Sequence, residues 1–567
     1  MRIKRAAIVA LLVLVFVTPA IAASIPDEQF DGWTQLQQDN PGLATGSTMG
    51  AVFGDFGNLA GESPSYLNRE DVPANSSTPL CKSEAECMGH QVSMIANLDF
   101  CHDANEKNCI QDVVATSNSG EKINYTNQRY FPAAQELVFK GNPDAQAPNG
   151  STPSVVQFPK IINSAGTNDY VISVYVINRF THNTDGSGSY SDPLFLASIS
   201  AVQLVKGNYT PRIAQMTSSG MDWPATYRNP ECTVMEIGIC GKTVSLPKDV
   251  NFSLTLRLNQ TFYGWLHGRL TGGTIVSKDV GNRNYVVEIS GKPSQVPEAI
   301  GVVSTNAAPA KLLQDSWGVQ SIEALQKYSK PFIATFAPVR GTYTYNGFLD
   351  WLPFLNNKAA AMPTVWSVRN ITKDQAVASA GDQALNCLVQ TAMASGNNGI
   401  AGFVNTNATS YMSGPPAYNS ADQSLTYQVA APHFTTDGSE FQGLYSLQIR
   451  ADTARCIFNL SDAPVKATVS VTSSDGVEQT VATSANLKDD FYYFQASGFH
   501  FSAPTIKLKL VNTEATAINK VPEAKPTAAP NKSVASVSPV AIKCVKGKSI
   551  KKVVGINAKC PKGYKKA

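Results

Sequence analysis

Phe252, Leu254, Leu256 and Leu258 alternate with Ser253, Thr255 and Arg257. A two-residue period of this kind marks a strand with one face in a core and one facing polar surroundings. The same grammar runs through two long stretches of the chain. Residues 170–178 (YVISVYVIN) are aromatic or β-branched on both faces, which reads as a central strand covered on both sides. Residues 194–205 form a second long run, and the Gly/Ser-rich segment 182–190 between them makes the pair a hairpin. Residues 262–270 and 285–289 continue the series, with Gly272 and Gly273 as a turn. These strands predict an antiparallel β-sandwich over residues 141–305.

A second sandwich is predicted over residues 386–512. There Ala467, Val469 and Val471 alternate with Lys466, Thr468 and Ser470, and Ile506, Leu508 and Leu510 alternate with Lys507 and Lys509. The segment between, 306–385, breaks the pattern: Ile322, Leu325 and Tyr328 recur at three-residue steps, as on a short amphipathic helix. Residues 24–140 are rich in Gly, Pro, Asn and Asp and cysteine-bearing, and read as an irregular region of loops and short strands. The fold class expected is therefore mainly β, two antiparallel β-sandwich-like domains with a small mixed α/β insert.

The ends of the chain speak to delivery. Arg2, Lys4 and Arg5 precede ten apolar residues, 8–17, and then Ala20-Ile21-Ala22. That order is a signal peptide over residues 1–22, too short in its apolar run for the roughly 20 residues of a membrane span. No later stretch is long and apolar enough to span, so no transmembrane helix is expected after cleavage. Ten cysteines behind such a leader predict disulfides. They fall as neighbours: Cys81/Cys87, Cys101/Cys109, Cys232/Cys240, Cys387/Cys456 and Cys544/Cys560. The first four thiols allow three connectivities. Zinc fits poorly, because no paired CxxC or HxxxH spacing occurs, even with His90 and His102 beside Cys87 and Cys101.

The net charge of +3 is unevenly spread. The leader carries +3 and residues 543–567 carry +9 with no acid, which leaves −9 on residues 24–542. Residues 513–542 are rich in Ala, Pro, Thr, Ser and Lys, the composition of a disordered linker. The tail beyond it, KCVKGKSIKKVVGINAKCPKGYKKA, concentrates Lys546, Lys548, Lys551, Lys552, Lys559, Lys562, Lys565 and Lys566 around two cysteines. Clustered lysines attract polyanions, and behind an export signal the partner expected is an anionic cell-envelope polymer or glycan, not nucleic acid. Tyr564 alone supplies an aromatic, too little for stacking on single strands.

The pattern KCxKGKxxKKVxxxxxKCPKGYKK, carried here by Lys543-Cys544, Lys546-Gly547-Lys548, Lys551-Lys552-Val553 and residues 559–566, resembles a tail shared by uncharacterised secreted and envelope-associated actinobacterial proteins. The resemblance covers about 25 residues and implies a bacterial, envelope-associated setting; it implies no catalytic residues.

Sites of chemistry are sparse. The chain contains no GxSxG, HExxH, Walker A or GxGxxG pattern, and no cofactor is expected. His433, Asp437 and Glu440 pair a histidine with two carboxylates and are the catalytic candidates, though Asp437-Gly438 equally suits a turn. Asn183, Asp185 and Ser187, with Ser189, put oxygens at alternate positions of a calcium-type loop, but Leu194 stands where the bidentate Glu belongs. Tyr263, Trp265, His267 and Arg269 alternate on one strand face, which would stack on sugar rings if exposed and pack in a core if buried. The expectation is a secreted, disulfide-linked envelope or surface protein with a non-catalytic binding or structural role. The alternatives are a secreted carbohydrate-active or other hydrolytic enzyme and, third, a calcium-dependent adhesion module.

Overall fold

The computed structural model describes residues 26–55, 65–70, 80–133, 137–142, 147–183, 188–191, 193–210, 215–217, 220–222, 232–259, 264–281, 284–327, 331–337, 342–371, 386–387, 400–412, 414–461, 465–472, 478–482, 486–501, 503–512, 540–546, 549–555 and 564–566. The chain is mainly β and divides into two compact units, Met1–Ala515 and Thr516–Ala567.

The predicted strand of alternating leucines is Asn251–Leu258, and Phe252, Leu254, Leu256 and Leu258 are all fully buried. It lies antiparallel between Cys109–Thr116 and Asn284–Gln295. The strand Asp169–His182 runs antiparallel to Leu194–Lys206, as the hairpin reading requires, and to Gln91–Asn97 on its other side. Both its faces are covered. Tyr170, Ile172, Val174 and Val176 enter the largest core, while Val171 and Tyr175 pack into smaller clusters opposite.

Three features depart from the sequence reading. Gln91–Asn97 and Cys109–Thr116 are full strands of this sheet system, so residues 24–140 are less irregular than their composition suggests. Their partners lie far along the chain, and such pairing leaves no local signature. Gly272 and Gly273 do not end a strand: Leu270–Gly281 continues through them with a bulge between Thr271 and Thr274, Gly272 taking φ +66°. The predicted helix around residue 322 is two helices, Ala310–Trp317 and Ile322–Leu325. Gly318, at φ +69°, closes the first, where a left-handed residue is needed.

Those helices and Thr342–Trp351 surround a small three-stranded sheet in which Thr48–Phe53 pairs antiparallel with Ala299–Ser304 and parallel with Ile333–Phe336. Phe53 stacks on Phe336 there at 4.4 Å. The C-terminal part of the larger unit is a second sandwich. One layer joins Gly264–Gly268, Ile400–Thr406, Gln442–Arg450 and Phe491–His500. The facing layer joins Ser410–Tyr411, Ser424–Ala430, Thr505–Asn512 and Val465–Thr472. Ala467, Val469, Val471, Ile506, Leu508 and Leu510 line the core between them.

Four disulfides close, Cys81–Cys87, Cys101–Cys109, Cys232–Cys240 and Cys387–Cys456, and they set the folded chain in an oxidising, extracellular-type environment. Cys560 lies outside the described residues. Among the described residues no helix is long and apolar enough to cross a membrane. Cys387–Cys456 spans 69 residues and ties the helix Ala451–Phe458 to residues 386–387. Replacing both cysteines by alanine is expected to destabilise the larger unit by about 4 kcal/mol on the loop-entropy model. A lowered thermal midpoint for the double variant, with the other three disulfides retained by mass, checks this.

Candidate functional site

The strand Gly264–Gly268 decides where polar groups meet. It lies between Thr364–Asn370, antiparallel, and Ile400–Thr406, parallel. Leu266 and Leu270 face the first core with Val368 and Phe403; Trp265 faces the second with Val404. Strand alternation therefore sends His267 and Arg269 to the second-core side, where His267 pairs directly with Arg369. Gly402 makes the packing feasible: a Cβ there would come within 2.2 Å of the Trp265 ring.

Trp265, His267 and Arg269 are thus buried, each no more than 2% exposed, and the sugar-stacking face that their alternation allowed is a core face instead. Tyr263 lies outside the described residues. What the alternation could not reveal is the company these residues keep. Tyr411 stacks on His267 with ring centroids 4.7 Å apart, and Tyr427 brings its hydroxyl to 3.0 Å from His267 Nδ1. The Arg269 guanidinium lies over the Tyr411 ring at 4.7 Å, and Arg369 sits at 5.5 Å from the same centroid. Arg369 Nε donates to the Tyr411 hydroxyl at 3.2 Å. Two guanidiniums and an imidazole therefore gather around one phenol.

Arg269 is held from three directions. Its Nε donates to Asp55, and its Nη1 donates to the carbonyls of Thr406 at 2.9 Å and Ala408 at 2.6 Å. Next to Asp55, Glu298 is buried against Gly54, where a Cβ would stand 2.9 Å from the Glu298 carboxyl carbon. Burial, and then the neighbouring charge of Asp55, hold the Glu298 carboxyl well above the usual range. Burial likewise lifts the Tyr427 phenol well above its ordinary value, against the pull of Arg369 and Arg269, and keeps it neutral.

The catalytic candidates occupy a hairpin turn. Phe434 pairs with Glu440, Thr435 donates its amide to Ser439, and Gly438 takes φ +89°. Asp437 is exposed and accepts from the Thr435 hydroxyl and from both the amide (2.9 Å) and hydroxyl (2.7 Å) of Ser439, which hold its carboxyl well below the usual range. Glu440 faces His500 at 3.6 Å. Asp437 thus caps its own turn. Of the calcium candidates, Asn183 is exposed, and Asp185 and Ser187 lie outside the described residues. Among the described residues no three of His, Cys, Asp or Glu are grouped to hold a metal.

In the smaller unit, Val540–Lys546 pairs antiparallel with Ser549–Gly555 and with Lys565–Lys566. Lys543 stands directly opposite Lys552. Cys544 stands between Lys551 and Lys566, two positions about 10 Å apart across three strands. Lys543, Lys546, Lys565 and Lys566 are exposed; Lys548, Lys559 and Lys562 lie outside the described residues. The apolar rows Ile542 opposite Val553 and Val545 opposite Ile550 bracket these two rows.

The chain matches no protein-family model, no curated protein and no solved structure.

Glu298 carries a pH signature. Its folded-state pKa lies above the ordinary 4.5, so its contribution is intact below that value. It is lost as pH rises toward the folded-state pKa, because the unfolded chain releases the proton first. Glu298→Gln is expected to equal the native protein in thermal midpoint near pH 4 and to exceed it at pH 8. Asp55→Asn, which strips Arg269 of its counter-charge, is expected to cost about 3–5 kcal/mol in denaturant titrations at neutral pH.

Proposed function

We propose that the chain is a secreted, disulfide-linked cell-envelope or surface protein, bound through its basic tail to an anionic envelope polymer or glycan. Its β-rich body does non-catalytic binding or structural work. The observation that carries this reading is the pairing of lysines in the tail sheet. Like charges directly opposite one another on neighbouring strands oppose folding, by roughly 0.5–1 kcal/mol per pair at water-like screening. The register sets Lys543 against Lys552 and flanks Cys544 with Lys551 and Lys566. A sheet that sets lysines opposite one another is relieved by a partner supplying phosphate or carboxylate groups along its length.

The non-catalytic reading of the body rests on where its titratable groups are spent. Asp437 is consumed by its turn, Asp55 by Arg269, and Glu298 is buried with its carboxyl held above the usual range. Acid–base work on a large substrate needs a carboxyl pair facing a cleft. A hydrolytic enzyme would have to draw its acid and base from other carboxylates.

Co-sedimentation of the mature protein with purified cell walls tests the proposal. The full-length protein is expected to pellet at low salt and to release at high salt, and a form lacking residues 543–567 to stay in solution. A Lys543→Gln/Lys552→Gln variant is expected to release at lower salt than the native protein. Equal pelleting of full-length and truncated forms would put the binding site in the body and overturn the role given to the tail.

A further inference from the structure

The described residues of the unit Thr516–Ala567 form one three-stranded sheet, and lysines stand on both its faces. Residues of a strand alternate between the two faces, and directly opposed residues share one. The register therefore places Lys543, Lys552 and Lys565 on the same face. Lys543 stands opposite Lys552, and Lys565 stands opposite Val545, two residues along from Lys543. It places Lys546, Lys551 and Lys566 on the other face, because Lys551 and Lys566 both stand opposite Cys544, two residues before Lys546. Each side thus carries three lysines. Residues 556–564, between the second and third strands, add Lys559 and Lys562 and no acid.

A tail built to lie along a single polymer would gather its lysines on one face, as an amphipathic strand gathers its apolar residues. Here the alternation divides them equally. A polyanion on one face leaves the three lysines of the other outside its reach. Layers stack about 10 Å from a sheet on either side, so partners on opposite faces lie roughly 20 Å from each other. That separation exceeds the Debye length of about 8 Å at physiological ionic strength. Repulsion between two bound polyanions is then largely screened, while each meets its own lysines at close range. We propose that the tail binds two segments of anionic envelope polymer at once, one on each face, and so cross-links the polymer as well as holding the protein to it. This inference rests on the envelope-binding reading and adds a second valency to it.

A sandwich assay on the full mature protein tests it, with long-chain inorganic polyphosphate as the probe. Biotinylated polyphosphate is fixed to a surface and captures the protein at a concentration where ultracentrifugation shows a monomer. Fluorescent polyphosphate is added after washing. The native protein is expected to recruit the fluorescent chain. Two variants each clear one face: Lys543→Gln/Lys552→Gln/Lys565→Gln and Lys546→Gln/Lys551→Gln/Lys566→Gln. Either is expected to be captured about two-fold less than the native protein, through its remaining face, and to recruit roughly ten-fold less of the second chain. Capture of the native protein without recruitment overturns the cross-linking and leaves the envelope reading standing. Recruitment by both variants at the native level overturns the division between faces. Absence of capture, or capture unaffected by removal of residues 543–567, overturns the envelope reading and this inference with it. If a variant does not fold, recruitment by the native protein with and without residues 543–567 decides the matter alone.

Discussion

Arg269 sets a guanidinium between two β-sheets, where an isolated charge would cost several kcal/mol after relaxation, and Asp55 is what makes the position tenable. The contact joins residues 214 apart in sequence. It ties the segment leading out of the strand Thr48–Phe53 to the strand Gly264–Gly268, and through that strand to both large cores. Its neighbours follow from the same choice. Because Arg269 faces the second core, so does His267 two residues earlier. The facing layer must then present Tyr411 and Tyr427, which offer an apolar ring and a polar tip together. Glu298, buried beside Asp55, has its carboxyl raised above the usual range, by burial first and by the Asp55 charge second. One buried ion pair thereby adds to the burial that raises the Glu298 carboxyl and lies beneath the Tyr411 ring.

Much of the fold was legible because the hydrophobic pattern has a period of two wherever a strand has one buried face. Asn251–Leu258, Val465–Thr472 and Thr505–Asn512 all bury the residues that their alternation selects. The hairpin of Asp169–His182 with Leu194–Lys206 was legible for the same reason, helped by the Gly/Ser-rich segment between the two strands. The neighbouring cysteines paired as neighbours, since short loops bring thiols together at little entropic cost. The parallel pairing of Gly264–Gly268 with Ile400–Thr406 was not legible, nor was the use of Gln91–Asn97 as an inner strand. Both are contacts between distant segments, and alternation says which face of a strand is buried but not which strand lies beside it. The same limit hid the buried cluster. His267 and Arg269 stood out by alternation, yet Asp55, Arg369, Tyr411 and Tyr427 enter only through tertiary register.

The molecule treats its charges in two ways. Within the body, ionised groups are paired or hydrogen-bonded where they are buried, as with Arg269 and the N–H and carbonyl groups around it. In the tail, Lys543, Lys546, Lys565 and Lys566 are exposed, and Lys543 is set opposite Lys552. These arrangements respond to different variables. A buried pair is weakly screened by salt and depends on the protonation of its members, so pH is what perturbs it. Exposed charges are screened within about 8 Å at physiological ionic strength, so salt is what perturbs them.

That contrast bears on which part of the chain meets the outside. A binding surface must gain free energy from its partner that it cannot gain from its own side chains. The buried Arg269 is answered from within, by Asp55 and by the carbonyls of Thr406 and Ala408. The tail sheet is not: Lys543 stands directly opposite Lys552, Lys551 and Lys566 flank Cys544, and residues 543–567 contain no acid. The proposed envelope polymer would answer these positions together. A polymer with regularly spaced negative charges lowers the energy of every row at once, and simple ions must be recruited to each row separately, at an entropic cost each time.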